Sequence, residues 1–248
     1  MKRLWLLVAL GILSYAIFAL VTLPANVVIS RLEPYGVRAA GVSGTAWNGS
    51  AQVLQVAGIN VGQLSWDLHV LPLVTLKAVA DIDVRRPDGF ARGIVNAGKT
   101  RLELSDFSAS LPLAALPPQI TQGGWSGTID ARLATLVLEN NWPTSADGTI
   151  DVSDLTGPAR RPVNIGSYQV RFPAQGTTAE TLVGTINDTG GPVQINGTIQ
   201  LKAADRSYLL DGMVATKPDA PPDFARTLEF LGPPDPQGHR QFSVSGTM

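Results

Sequence analysis

The chain has no cysteine and only two histidines among its 248 residues. The first absence excludes disulfides, thiolate nucleophiles and zinc sites built on Cys. The second leaves an imidazole-based metal site without enough ligands. Neither fixes the compartment, because a cysteine-free chain suits an oxidising space and is also common in the cytosol. Charge is sparse, at 16% of residues and net −1, with no basic run. The clustered positive face that nucleic acid requires is therefore missing, and so is the charge imbalance of a disordered tail. No G-x-S-x-G turn offers a strained serine nucleophile. The glycine-bearing stretch 57–62 lacks the lysine and following helix of a phosphate loop.

What the chain does contain begins at its N-terminus. After Lys2 and Arg3, the run Leu4 to Leu23 holds no charged residue. As a helix it would measure about 30 Å, the thickness of a bilayer core. A cleaved signal peptide needs an apolar stretch of only about 7–15 residues, so an uncleaved anchor is favoured. Ala16 and Ala19 form an A-x-x-A stretch that leaves cleavage as the alternative. Lys2 and Arg3 place the N-terminus in the cytoplasm and the remaining chain outside it. This reading gives residues 1–3 as a cytoplasmic N-terminus, 4–23 as a transmembrane helix and 24–248 as one mainly-β domain.

Gly and Pro together make about a sixth of the chain, which points to short strands and many turns. Residues 25–32 read as a short interfacial helix stopped by Pro34 and Gly36. Beyond it the apolar period drops to two. Leu64, Trp66, Leu68 and Val70 alternate with Gln63, Ser65, Asp67 and His69. The same alternation carries Ala80, Ile82 and Val84, then Tyr168, Val170 and Phe172, then Val193, Ile195, Ile199 and Leu201. Such patterns mark antiparallel strands with one dry and one wet face. The Gly-Thr dipeptides at Gly44, Gly127, Gly148, Gly184, Gly197 and Gly246 predict turns or bulges from which strands resume. Residues 188–191 predict a hairpin turn, and 111–120, with three prolines, a turn or short helix. Residues 224–231 are bracketed as a helix by Pro221-Pro222 and Gly232-Pro233, and 240–247 form a last strand. The expected fold is mainly β: an N-terminal transmembrane helix, then an antiparallel, twisted sheet with a few short helices, whose dry face could curl into a groove.

Candidate chemistry is thin. His69 lies on a wet strand face beside Asp67, and His239 lies in a turn; both read as solvated positions. Asp81/Asp83 and Asp151/Asp154 read as surface acids. The sequons at Asn48, Asn187 and Asn196 read as by-products of Gly/Thr-rich turns. Trp47, Trp66 and Trp125 read as core or sheet-end anchors, with partner contact as the alternative. No catalytic, cofactor-binding or metal site is expected.

The order of motifs is informative. A Leu23-Pro24-Ala25 step is followed by a G-T-x-W-x-G-x-A block at Gly44, Thr45, Trp47, Gly49 and Ala51, then by Gly62 and Trp66. Leu231-Gly232, Asp235, Gly238 and the strand 242–246 close the series. In this the chain resembles the type II secretion system protein N family, most strongly over its first 70 residues, whereas about 85 to 180 match no motif. The resemblance implies a Gram-negative inner-membrane protein, single-pass, with its bulk in the periplasm. It implies an accessory, non-enzymatic part of the machinery that exports folded proteins across the outer membrane. The implied partners are the other inner-membrane components of that system, and no family catalytic residues carry over. Gly44, Thr45, Trp47, Gly49 and Trp66 become the signature residues. The alternative is an AsmA-like periplasmic protein that binds or transfers lipid, with Leu64, Trp66, Leu68, Ile195, Ile199 and Leu201 lining its groove. Both readings require the same alternation.

Overall fold

The computed structural model describes residues 2–70, 77–116, 124–157, 163–173, 181–218, 220, 224, 226 and 228–247, without the side chains of residues 2–4, 6–9 and 35. The chain divides into two compact units, residues 1–86 and 87–248.

The first unit opens with helix α1 (Lys2–Val21), followed by α2 (Ala25–Leu32) and a 3-10 turn over 33–35. Gly36 stops the turn in the left-handed region (φ 83°), as the sequence predicts for glycine at a helix end. Among the described residues, no helix is long and apolar enough to cross a membrane. The strands are β1 (Val37–Ala40), β2 (Ser43–Gly44), β3 (Asn48–Val56), β4 (Ile59–His69) and β5 (Ala78–Arg86). They run in the order β1-β3-β4-β5, all antiparallel, with β2 beside β3. Ala57 (φ 51°) and Gly58 (φ 82°) make the β3–β4 tip, and two positive φ values in a row match the right-handed twist of a hairpin.

The second unit is a meander. Its strands are β6 (Gly89–Ala97), β7 (Arg101–Pro112), β8 (Ser126–Glu139), β9 (Trp142–Thr156) and β10 (Asn164–Phe172). They continue as β11 (Thr181–Gly190), β12 (Val193–Lys202), β13 (Ser207–Thr216) and β14 (Arg240–Thr247). Every strand pairs antiparallel with its neighbour in sequence. Directly paired residues share a face, so the register separates two rows. Ile150, Val170 and Ile186 pair in turn, and Leu182, Leu201 and Tyr208 form a parallel row on the same face. The opposite face carries Arg132, Thr149, Arg171, Thr185, Thr198 and Asp211 in one continuous ladder. An apolar face on a single layer must find cover, and this sheet curls to supply it. Strand β9 approaches β11 and β12, and Arg206 at the β12–β13 tip donates to the Asn140 carbonyl at the β8–β9 tip (3.2 Å). Inside the curl Leu182 (1% exposed), Ala146 and Phe172 form the core, with Leu136, Ile150, Val170, Ile199 and Leu201 packed against them. The buried Tyr168 hydroxyl lies 2.7 Å from the Ile165 carbonyl and 2.9 Å from that of Val193. Burial raises its pKa, with the Asp188 charge adding to the effect.

The Gly-Thr expectation needs correction. Gly127, Gly148, Gly184, Gly197 and Gly246 all lie within strands rather than in turns. Gly127 and Gly148 each sit at a register shift, as a bulge would. The others mark places where a neighbour crosses closely. A Cβ on Gly184 would come 2.7 Å from the Phe172 ring, and one on Gly246 would come 2.7 Å from the Tyr208 hydroxyl oxygen. The 188–191 hairpin forms with its tip at Gly191-Pro192, two residues later than the sequence suggests. Residues 113–115 form a 3-10 turn, and the last four residues of the 111–120 segment lie outside the description. Of the helix expected at 224–231, Phe224, Arg226 and Leu228 are helical and lead into a 3-10 turn at 229–231; its remaining residues lie outside the description. The 240–247 strand forms as read.

Gly148 has φ 137°, and a Cβ there would run into the Arg132 carbonyl and lie 2.7 Å from the Leu133 Cα. Gly148→Ala is expected to lower the unfolding free energy by about 1–3 kcal/mol. Tyr168→Phe, which removes the single hydroxyl proton that the Ile165 and Val193 carbonyls share, should cost about 1–2 kcal/mol. Chemical denaturation followed by circular dichroism checks both, and a Gly148→Ala protein as stable as the parent would refute the close-approach account.

Candidate functional site

The signature residues converge where α1 hands the chain to the sheet. Gly44 ends β2 with φ 87°, and a Cβ there would meet the Asn48 carbonyl at 2.5 Å. The chain then reverses through a tight turn that closes on itself. The Thr45 amide donates to the Asn48 carbonyl (2.8 Å), and the Asn48 amide donates to the Thr45 hydroxyl (3.1 Å). The half-buried tip of this turn, Ala46-Trp47, docks on the end of α1. Trp47 Nε1 donates to the Leu20 carbonyl (2.9 Å), and the Ala46 amide donates to the Leu23 carbonyl (2.8 Å). Thr45 also bridges Pro24. The last carbonyls of any helix lack intrahelical donors, and here that of Leu20 takes the Trp47 indole in addition to the Leu23 amide (3.3 Å).

A second tryptophan fixes the turn from the other side. Trp66 Nε1 donates to the Ala46 carbonyl (3.1 Å), so both backbone polar groups of Ala46 are used. The Trp66 ring lies over its cross-strand partner Gly49, where a Cβ would be 2.5 Å from the ring. The Leu68 amide donates to the Trp47 carbonyl. Ala51 (0% exposed) and Ala25 (1%) are the small residues buried at this junction. The roles of Leu20, Ala25 and Ala46 were not legible from residue type. The only signal was that a Leu-Pro-Ala step precedes the G-T-x-W block, and the hydrogen bonds from Trp47 and Ala46 give that order its reason.

The wet face beside the junction is a surface network. Asn48 Nδ2 donates to Asp67 Oδ2 (3.1 Å), and His69 Nε2 lies 2.8 Å from Asp81 Oδ2. Asp67 and Asp81 are directly opposed. The His69 and Asp81 side chains are about half exposed, and Asp83 is engaged by Arg85. Among the described residues, no three His, Cys, Asp or Glu side chains group to hold a metal ion. His239 lies 3.5 Å from Asp235 in a turn of the other unit. Asp151 accepts from Gln169 Nε2 (2.7 Å), and Asp154 sits in a bulge with φ 52°.

The six residues read as groove lining fall on two strands, one in each unit. Leu64, Trp66 and Leu68 share one face of β4, paired with Val84, Ile82 and Ala80, and all three are half-buried. Ile195, Ile199 and Leu201 share one face of β12. Ile199 and Leu201 pack on the core cluster, and Ile195 pairs with the buried Val214.

Comparison with known proteins agrees with the motif order. Residues 35–243 match the family model described as Type II secretion system (T2SS), protein N. The Type II secretion system protein N of Aeromonas hydrophila is 27% identical over 259 residues, covering 99% of each chain. That of Vibrio cholerae is 26% identical, covering 92% of each. That of Pectobacterium carotovorum is 22% identical, covering 96% of this chain and 94% of its own. No solved structure matches.

Trp47→Phe keeps an aromatic ring, though a smaller one, and deletes the donor to Leu20, so it should lower stability by at least about 1 kcal/mol. Gly49→Val should cost more, because a Cβ meets the Trp66 ring and the Ser43 and Thr45 carbonyls at once. Thermal unfolding and limited proteolysis near residues 20–25 check the pair. Equal stability of Trp47→Phe and the parent would show that the indole bond contributes nothing.

Proposed function

Because this chain belongs to the type II secretion system protein N family, we propose that it is an accessory, non-catalytic scaffold of the type II protein secretion system. In this reading residues 4–23 anchor it in the bacterial inner membrane, Lys2 and Arg3 stay in the cytoplasm, and residues 24–248 stand in the periplasm. It contributes there to the export of folded proteins across the outer membrane. The observation that carries the reading is the junction: the signature residues commit their hydrogen bonds to tying the sheet to the end of α1. A motif used in this way serves position, and position relative to a membrane is what a scaffold needs. The apolar side chains along α1 support the anchor, since Leu10, Ile12, Leu13, Ile17, Phe18 and Leu20 are all more than half exposed. Apolar side chains this exposed along one helix call for lipid.

The partners in this reading are other inner-membrane components of the system. A second reading, lipid binding or transfer along the apolar face, draws on the flanks of the second unit's curl. There Leu104, Phe107, Leu210 and Phe242 are only half-buried and Val244 is 49% exposed.

Membranes washed at alkaline pH should retain the full chain and release a chain lacking residues 2–23. Cross-linking in cells followed by affinity isolation of the intact protein should recover inner-membrane secretion components, and Gly49→Val should reduce that recovery. Release of the full chain on washing, or recovery of no secretion component, would overturn the scaffold. Lipid in stoichiometric amount by mass spectrometry would move the second reading to first place.

A further inference from the structure

The far edge of the second unit is unfinished. Among the described residues, β14 pairs with β13 alone. Proteins usually blunt a free edge with proline, lysine or a bulge. Strand β14 (RQFSVSGT) has no proline or lysine, its pairing with β13 shows no register shift, and its one charge is Arg240 at the first position. The most exposed large apolar side chains described in this unit gather at the same place. Phe230 (93%) and Leu231 (42%) lie in the 3-10 turn that packs on β14, and Val244 (49%) lies in its middle.

We propose that this edge pairs with β14 of a second copy of the chain, antiparallel about a two-fold axis through Val244. The register favours this pairing. Two identical edge strands can extend one sheet isologously only when antiparallel, and the apolar faces of both copies then continue on one side. Centring on Val244 sets Phe242 opposite Gly246 of the second copy, Ser243 opposite Ser245, and Gln241 opposite Thr247. An aromatic facing a cross-strand glycine is the device this chain already uses within its own sheet. Trp66 lies over Gly49, the Phe172 ring abuts Gly184, and Tyr208 faces Gly246. Within its own copy Phe242 pairs with Gly212, which in turn pairs with Gly197, so no side chain supports it from within its own row. Self-pairing sets it opposite Gly246 and beside the Tyr208 ring that already lies there, sets Val244 against Val244, and occupies every residue from 241 to 247.

The absence of native cysteine makes the test direct. In the intact protein, extracted in detergent or held in nanodiscs, Val244→Cys should form a disulfide-linked dimer on mild oxidation, because the residue faces itself across the axis. Gln241→Cys and Thr247→Cys should each remain monomeric alone and cross-link when mixed. Val244→Lys should lower the dimer fraction by light scattering at least tenfold while leaving the β-sheet circular dichroism unchanged. Failure of Val244→Cys to cross-link in a normally folded protein would overturn the proposal. So would a dimer that survives Val244→Lys, or stronger cross-linking by Ser243→Cys, which centres a different register.

Discussion

A sheet one layer thick buries nothing by itself, and in each unit the outcome depends on how the apolar face is covered. In the second unit the sheet turns that face inward, so that Phe172 of β10 and Leu182 of β11 share a core with Ala146 of β9. The curl depends on small residues at the places where strands press closest: an added Cβ would strike backbone at Gly148, Gly197 and Gly212. It also depends on aromatic rings laid over glycines, which recover apolar contact that the missing side chain would have given. In the first unit Trp47 meets the end of α1, Trp66 lies over Gly49, and Leu64, Trp66 and Leu68 stay half-buried.

Much of this was legible in the sequence where alternation is unbroken. Strands β4, β12 and β14 follow from period two alone, and α2 from its flanking Pro24, Pro34 and Gly36. The signature residues also stood out, although only the structure shows that Trp47 reaches a helix carbonyl. The region of β7 to β9 was opaque for a specific reason. Asp106 (φ 49°) bulges β7 against β6, and register shifts fall after Leu133 and Val137 in the β8–β9 pairing. Each extra residue reverses the parity of the rest of its strand. Ile129, Ala131 and Leu133 therefore share a face with Leu136 and Leu138, and no strict alternation survives for the eye to find. The Asn140-Asn141 hairpin tip (φ 50° and 64°) was missed because asparagine tolerates the left-handed region less conspicuously than glycine. The Gly-Thr dipeptides misled in the other direction. Residue type announces that a side chain is unwelcome, but not whether the cause is a turn or a neighbouring strand.

The junction changes what the two tryptophans mean. Taken as isolated aromatics, Trp47 and Trp66 suggest a partner surface or a generic core. In place, each indole N–H is committed to a backbone carbonyl and each ring to the helix exit or a glycine. Neither has a free polar group left for chemistry, which is why the functional reading rests on where the sheet is held.

The connectivity of the second unit also bears on how the protein is made. Because each strand from β6 to β14 joins the one synthesised just before it, every new strand meets a finished template as it emerges, and contacts stay local in sequence. A chain synthesised from its N-terminus can therefore build its sheet strand by strand as it emerges. At any moment it exposes a single growing edge, and it need not wait for a distant segment before it begins to fold.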